Sequence, residues 1–416
     1  MVGLFFCCQV FGQTSLKVTL KPFEIEGMPA IHSFAYAQSG DKYILIGGRI
    51  GVPISQLNYS IFVIDPTTNS IWEKSLESLN LKINCQEHLA SSHAAYTQVG
   101  NFLYLAGGLG FVEDREGFGN FPYLTRIDIK ELISVIIENK ESEGVFLQIE
   151  NNEFRNMGGS LLYLDSLFYL VGGKKTEGSF NENGKLQIEE RSMESFLEFT
   201  LMESDNSISI DRIEHNSYGE NFNSSKLKVL TQVYPGDQNG FQLIQNNVLT
   251  KKINQQTYSY QSSTILNESP LKNIPYFHST IVPFFMEDDQ SMHSIIMGGC
   301  VDYLCSQEEF YSNNLIGESQ HVKRDIDGYL TIEYLYFEEV LMEGRDAVFM
   351  SLANPTGSVS RLDKLNYEEK LIGYIVGGSL APSPMFFEDG SVLDGASNQL
   401  FKVFLSKERK SNFIEK

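Results

Sequence analysis

A chain of 416 residues with 53 acidic against 32 basic side chains, a formal charge of −21, is poorly suited to grip a phosphate backbone or an anionic membrane surface. Its 42% hydrophobic and 20% charged residues are an ordinary globular composition, and its 29 Phe and 20 Tyr suit half-buried pleated surfaces. Length alone does not divide the chain, because repeat architectures often exceed the size of an average domain as one unit.

Residues 1–13 come first. They hold no charged side chain and carry the apolar run Val2-Gly-Leu-Phe-Phe-Cys-Cys8, with Val10 and Gly12 where a signal peptidase takes small residues. The positive n-region is missing, so the segment is expected to be an export signal with a truncated start, the alternative being a frayed apolar terminus. Its Val-Phe-Gly-Gln ending resembles export signals of Bacteroidetes, and a periplasmic or secreted protein is expected. No other run reaches the ~20 apolar residues of a membrane-spanning helix. Cleavage would remove Cys7 and Cys8 and leave Cys85, Cys300 and Cys305. An oxidising compartment permits a Cys300–Cys305 disulfide, and no zinc spacing is present, so neither metal nor cofactor is expected.

Leu16-Lys-Val-Thr-Leu-Lys21 alternates as a strand, and then a repeat begins. An apolar strand ending in a glycine pair occurs at Gly47-Gly48, Gly107-Gly108, Gly172-Gly173, Gly298-Gly299 and Gly377-Gly378. The first glycines stand 60, 65, 126 and 79 residues apart, and the long interval is about twice its neighbours. A degenerate copy is therefore expected inside it, at Gln238–Leu249, where strand content remains and the glycine pair is lost. Glycine suits such points because it tolerates close backbone approach and positive φ. The last strand, Gln399–Leu405, would leave its sheet one strand short, which Leu16–Lys21 can supply, protecting the edge.

These residues resemble the kelch family. The first copy is the nearest match: His32-Ser-Phe-Ala-Tyr36, the glycine pair, Ile61-Phe-Val-Ile-Asp65-Pro-Thr-Thr-Asn69 and Ile71-Trp72. Asp128 echoes Asp65, but Trp72 is the chain's only Trp, a departure from the family in the later copies. The resemblance implies an all-β fold, a six-bladed kelch-type β-propeller with a degenerate fourth blade, closed into a ring by the N-terminal strand. The propeller would span 14–406, followed by a polar, mobile tail at 407–416, and would be a monomer.

In such a blade the connections after the glycine pairs share one face with the openings of the first strands. Here the connections are long: Arg49–Asn58, Leu109–Pro122, Lys174–Ser195, Cys300–Gly328 and Ser379–Asn398, with Glu177–Glu194 read as a solvated flap. Long connections without a repeat of their own often carry function. The strand openings put His32, His93, Asn156, Asn239, His278 and Asp346 in one register, with Arg155, Arg345, Arg49 and Lys174 beside them. Arg forks carboxylates and His switches protonation near neutrality, so His32, Arg49, His93, Arg155, His278 and Arg345 are ligand candidates. The alternative is blade-to-blade hydrogen bonding, a frequent use of such residues in kelch strands. Phe118, Phe121, Phe386 and Phe387 are candidate contacts at loop tips, the alternative for Phe386 and Phe387 being that they fold back as cover.

No Gly-x-Ser-x-Gly elbow, dinucleotide loop or Walker loop occurs. Cys300 near Tyr303 does not match the copper site of galactose-oxidase-like propellers. The expected function is an exported, non-catalytic binding module that recognises a protein or a glycan through the loop-rich face. The alternative is an acidic-sugar isomerase similar to N-acetylneuraminate mutarotases, with Arg155 or Arg345 clamping a carboxylate.

Overall fold

The computed structural model describes residues 14–51, 56–112, 117–180, 186–217, 228–234, 238–245, 248–253, 256–261, 279–297, 319–335, 337, 346–352, 359–379, 385–386, 392–393 and 395–409. Residues 1–13, expected to be an export signal, and His278, Gly298, Gly299, Cys300, Cys305, Arg345 and Phe387 lie outside them.

The fold is all-β, interrupted by two α-helices among the described residues. In the first three repeats a short hairpin turn precedes the glycine-paired strand. Asp165 and Ser166, with φ of 49° and 66°, make a two-residue turn whose left-handed backbone matches strand twist. The second strand of the third repeat, Leu167–Val171, is an unbroken apolar run buried along its whole length.

Six sheets follow one another along the chain. The first joins Ala35–Ser39, Lys42–Ile46, Ser60–Asp65 and Ser70–Ser75. The second joins Ala95–Val99, Phe102–Ala106, Tyr123–Asp128 and Phe146–Glu150. The third joins Ser160–Leu164, Leu167–Val171, Ser195–Glu203 and Ile208–Ser217. The fourth, Lys228–Tyr234, Gln238–Gln245, Val248–Ile253 and Gln256–Gln261, occupies the long interval without a glycine pair. The fifth joins Thr280–Met286, Ser291–Met297, Ser319–Arg324 and Leu330–Leu335, with Ser360–Leu362 added parallel to its first strand. The sixth runs Val348–Ser351, Lys370–Val376, Leu400–Arg409 and, on its outside, Thr14–Pro22.

The N-terminal strand is antiparallel to the last, from Thr14 opposite Arg409 to Pro22 opposite Phe401. Residues 407–409, expected in the polar tail, are therefore strand. Apolar clusters lie between successive sheets: Ile44 and Ile46 with Leu103 and Leu105, then Tyr104 with Phe168, then Tyr169 with Phe241. Val233 meets Phe285 and Met292, Val282 and Ile295 meet Phe349 and Val403, and Tyr43 and Leu45 meet Met350 and Tyr374. The sixth sheet thus shares a core with the first.

The glycine pairs fasten sheet to sheet. Gly48 N donates to Ser91 O at 3.0 Å, Gly108 N to Asn156 O at 2.7 Å, and Gly378 N to Ile31 O at 3.3 Å. A Cβ on the first glycine would lie 2.3 Å from Ser91 O at Gly47, 2.4 Å from Asn156 O at Gly107 and 2.2 Å from Ile31 O at Gly377. The close approach is to the segment opening the neighbouring sheet.

Two expectations change. Helices Ile83–Ala90 and Ile129–Ile137 interrupt the strands; the second is capped by the Asp128 carboxylate, which accepts from Glu131 N at 3.1 Å, and buries Leu132, Val135 and Ile136 against the cluster between the first two sheets. The connections 109–122 and 174–195 are not loops or a flap: Leu109–Val112, Gly117–Asn120, Lys174–Phe180 and Leu186–Ser192 pair into a four-stranded sheet. No helix among the described residues is long and apolar enough to cross a membrane.

Candidate functional site

The first strands of all six sheets line one cavity of about 600 Å³. Its polar wall is mainly phenolic and amide, with Tyr36, Gln38, Tyr96, Gln98 and Gln232 among the lining residues and Asp165 the charged one. Gln38 and Gln98 cross-link the first two sheets: Gln38 N donates to Gln98 Oε1 and Gln98 Nε2 to Gln38 O, both at 2.8 Å. Tyr36 and Tyr96 meet edge to face with centroids 5.8 Å apart, and burial pushes the Tyr36 phenol up to about 12.

Above these strands lie the residues that open them. Ser33, His93, Gly158 and Asp346 share a left-handed backbone, with φ of 55°, 56°, 70° and 55°. His93 N donates to Ser33 O at 3.0 Å and Gly158 N to His93 O at 2.9 Å, so main-chain bonds pass from sheet to sheet. This corrects the register read from sequence. His93 matches Ser33 rather than His32, and the position matching His32 and Ser92 in the third sheet is Met157, not Asn156, as the bridges His32–Arg49, Ser92–Leu109 and Met157–Lys174 require.

His32, Arg49 and His93 do come together. The Ser33 hydroxyl links His32 Nδ1 at 2.9 Å to His93 Nε2 at 3.0 Å, donating to one imidazole and accepting from the other. Arg49 Nε donates to Ser92 Oγ at 3.1 Å; burial lowers its pKa while Asp346 opposes that shift. The third-sheet candidates are held apart from this group. Arg155 donates to Asn152 Oδ1 at 3.0 Å and Asn120 O at 2.7 Å, Asn156 donates to Gly172 O at 2.8 Å, and Lys174 is paired with Glu190 at 2.5 Å. Buried polar side chains bonded to their own chain in this way hold sheets in place.

The aromatic candidates divide differently. Phe118 and Phe121 are not exposed tips: they are 7% and 1% exposed, and Phe121 lies against the buried His88. Phe386 lies in the short strand Met385–Phe386. The exposed apolar side chains on this face are others, Ile50, Tyr59 and Phe111, at 53%, 50% and 38% exposure. They stand on adjoining segments: Arg49 bridges Leu57, Ile50 N donates to Gln56 O at 3.0 Å, and a Cβ on Gly110 would lie 3.4 Å from Leu57.

The sequence held a signal for the correct register. The step of 60 residues between Gly47 and Gly107 carries Ser33 onto His93, Tyr36 onto Tyr96 and Gln38 onto Gln98. Nothing comparable marked Ile50, Tyr59 or Phe111, whose exposure depends on how the connections fold.

Among the described residues no three His, Cys, Asp or Glu side chains gather as a metal-ligand set. No family model matches the chain, and no curated protein matches it. It is similar to a solved structure entitled "Structure of YjhT", at 11% identity and a TM-score of 0.45, over 88% of this chain and 94% of that one. A likeness at that level carries no argument about activity.

Proposed function

We propose that the chain is an exported kelch-type propeller whose six sheets are its blades, the fourth degenerate and the ring closed by Thr14–Pro22. The cavity shared by six first strands, the cores between successive sheets and the core joining sixth to first support that reading. Its function is binding, without catalysis, of a glycan or protein surface through the face that carries the post-glycine segments.

The observation that carries the binding reading is the exposed group Ile50, Tyr59 and Phe111, set on adjoining segments beside the sheet built from the second and third connections. Aromatic side chains fixed on a rigid support are favoured anchors for sugar faces and protein surfaces. The isomerase alternative is supported less well, because Arg155, Asn156 and Lys174 are engaged within the chain.

A panel of neutral and acidic glycans and surface proteins, read by calorimetry and thermal shift, tests this. The double variant Tyr59→Ala, Phe111→Ala is expected to weaken binding about thirtyfold or more, at roughly 1–3 kcal/mol per anchor, while Arg49→Ala leaves it nearly unchanged. Stabilisation by a free acidic monosaccharide that Arg49→Ala abolishes would sink the binding reading in favour of the isomerase.

A further inference from the structure

In the fifth sheet, from the turn before Ser291–Met297 across to Leu330–Leu335, five polar side chains form one chain of contacts. Asp289 Oδ1 accepts from Ser291 Oγ; Ser291 Oγ meets His293 Nε2 at 2.6 Å; His293 Nδ1 meets His321 Nε2 at 2.7 Å; His321 Nδ1 faces Glu333 Oε2 at 3.8 Å. The imidazoles lie edge to edge and nearly coplanar, with planes 9° and centroids 5.0 Å apart, and they are 7% and 4% exposed. Strand pairing of His321 with Glu333 and of His293 with Lys323 fixes the order.

Counting protons shows what the arrangement can hold. An imidazole bonded directly to another must offer a lone pair on one side, so the pair accepts at most one extra proton; two imidazolium rings would turn N–H against N–H. With both rings neutral, Ser291, His293 and His321 supply three protons for the four contacts between the two carboxylates. His321 Nδ1 is the buried atom left without a hydrogen-bond partner. Released from the fold, the two rings could each take a proton.

The chain borders a cavity of about 310 Å³ between the fifth and sixth sheets, closed on the far side by Ser15 and Leu16 of the N-terminal strand and by Leu365. The charged groups facing it are Asp289 and its partner Lys323 at 2.8 Å, Glu333, and Lys407 of the sixth sheet with Asp288 at 4.0 Å.

We propose that the His293–His321 pair is an acid-sensitive latch on this seam: neutral imidazoles hold it shut, and acid favours its opening because the open seam binds more protons than the closed one. The direction follows from linkage. Burial, the first cause for both rings, lowers His293 to about 3 and His321 to about 4, with Glu333 opposing the second shift. The closed state therefore stays unprotonated while the open state titrates near 6.5, so stability present above that pH is lost as pH falls from 6.5 toward 4.

Hydrogen exchange of the strand pair 14–22 and 400–409, corrected for intrinsic rates, tests the latch in the full chain. Protection is expected to fall about tenfold or more per histidine between pH 7 and pH 5, and His293→Gln or His321→Gln, which keep a hydrogen-bonding side chain, should flatten that fall. A wild-type profile without pH dependence, or one unchanged in both folded variants, would overturn the proposal. If neither variant folds, proton NMR of the wild type decides. In assigned ring resonances His293 and His321 should remain neutral at pH 5, and titration of either above that pH would overturn the latch.

Discussion

Gly100 and Gly107 are close in sequence and both left-handed, with φ of +58° and +69°, yet they differ in what surrounds them. A Cβ on Gly100 would meet nothing within 4 Å, whereas one on Gly107 would lie 2.4 Å from Asn156 O and 2.6 Å from Phe154 O. Backbone strain is common to both, and a clash with the main chain of the next sheet is added only at the second. We expect Gly100→Ala to cost about 1 kcal/mol and Gly107→Ala roughly 2–4 kcal/mol, read from chemical denaturation of the full chain. Equal losses would mean that the glycine pair acts through φ alone, and that its contact with the neighbouring sheet contributes nothing.

Among the elements, the N-terminal strand and the helix Ile129–Ile137 show opposite degrees of legibility. The strand alternates polar and apolar residues, and its position was readable because the last repeat ended one strand short. Its apolar side, with Leu20 buried at 3% exposure, enters the core between the fifth and sixth sheets. Leu20→Ala should therefore cost about 2–5 kcal/mol in thermal or denaturant unfolding, the range for emptying a buried leucine site. A loss below about 1 kcal/mol would show that the strand is an optional cover. The helix went unread because its residues, Ile-Lys-Glu-Leu-Ile-Ser-Val-Ile-Ile, are rich in β-branched side chains that also suit a strand. Its signal was local: Asp128 with Glu131 three positions on, a helix-start pairing, outweighs β-propensity once Leu132, Val135 and Ile136 have a core to enter. Asp65, at the matching place in the first repeat, instead accepts from Thr67 N at 3.0 Å and closes a turn. One residue type at one repeat position thus serves two local structures.

Across the whole molecule the cores between sheets are unequal. Among the described residues the cluster joining the fourth and fifth sheets is Val233, Phe285 and Met292, while that joining the first two extends from Ile44 to the helix residues Leu132 and Val135. Opening should begin where buried apolar contact is least. Amides of Val229–Val233 are expected to exchange faster than those of Tyr43–Ile46 under native conditions, and the reverse order would show that the small core is not the weak joint. The same gradient explains what could be read in advance. Repeats with a glycine pair declared themselves by spacing, and the fourth sheet was placed only by interval. The face with the long connections was identified, but its sheet was not, because Gly117–Asn120, in a local hairpin with Leu109–Val112, is joined to Lys174–Phe180, more than fifty residues further along the chain.

The pairing of Thr14–Pro22 with Leu400–Arg409 has a consequence for how the protein is made. Its first strand emerges from the ribosome long before its partner has been synthesised, and contacts of such sequence separation are slow to form. Until residues 400–409 have been synthesised, Leu16, Val18 and Leu20 have no sixth sheet to cover them. The nascent chain therefore carries an unmatched apolar strand until then, the kind of segment that chaperones hold. A chain ended before Leu400 could not bring this strand to rest.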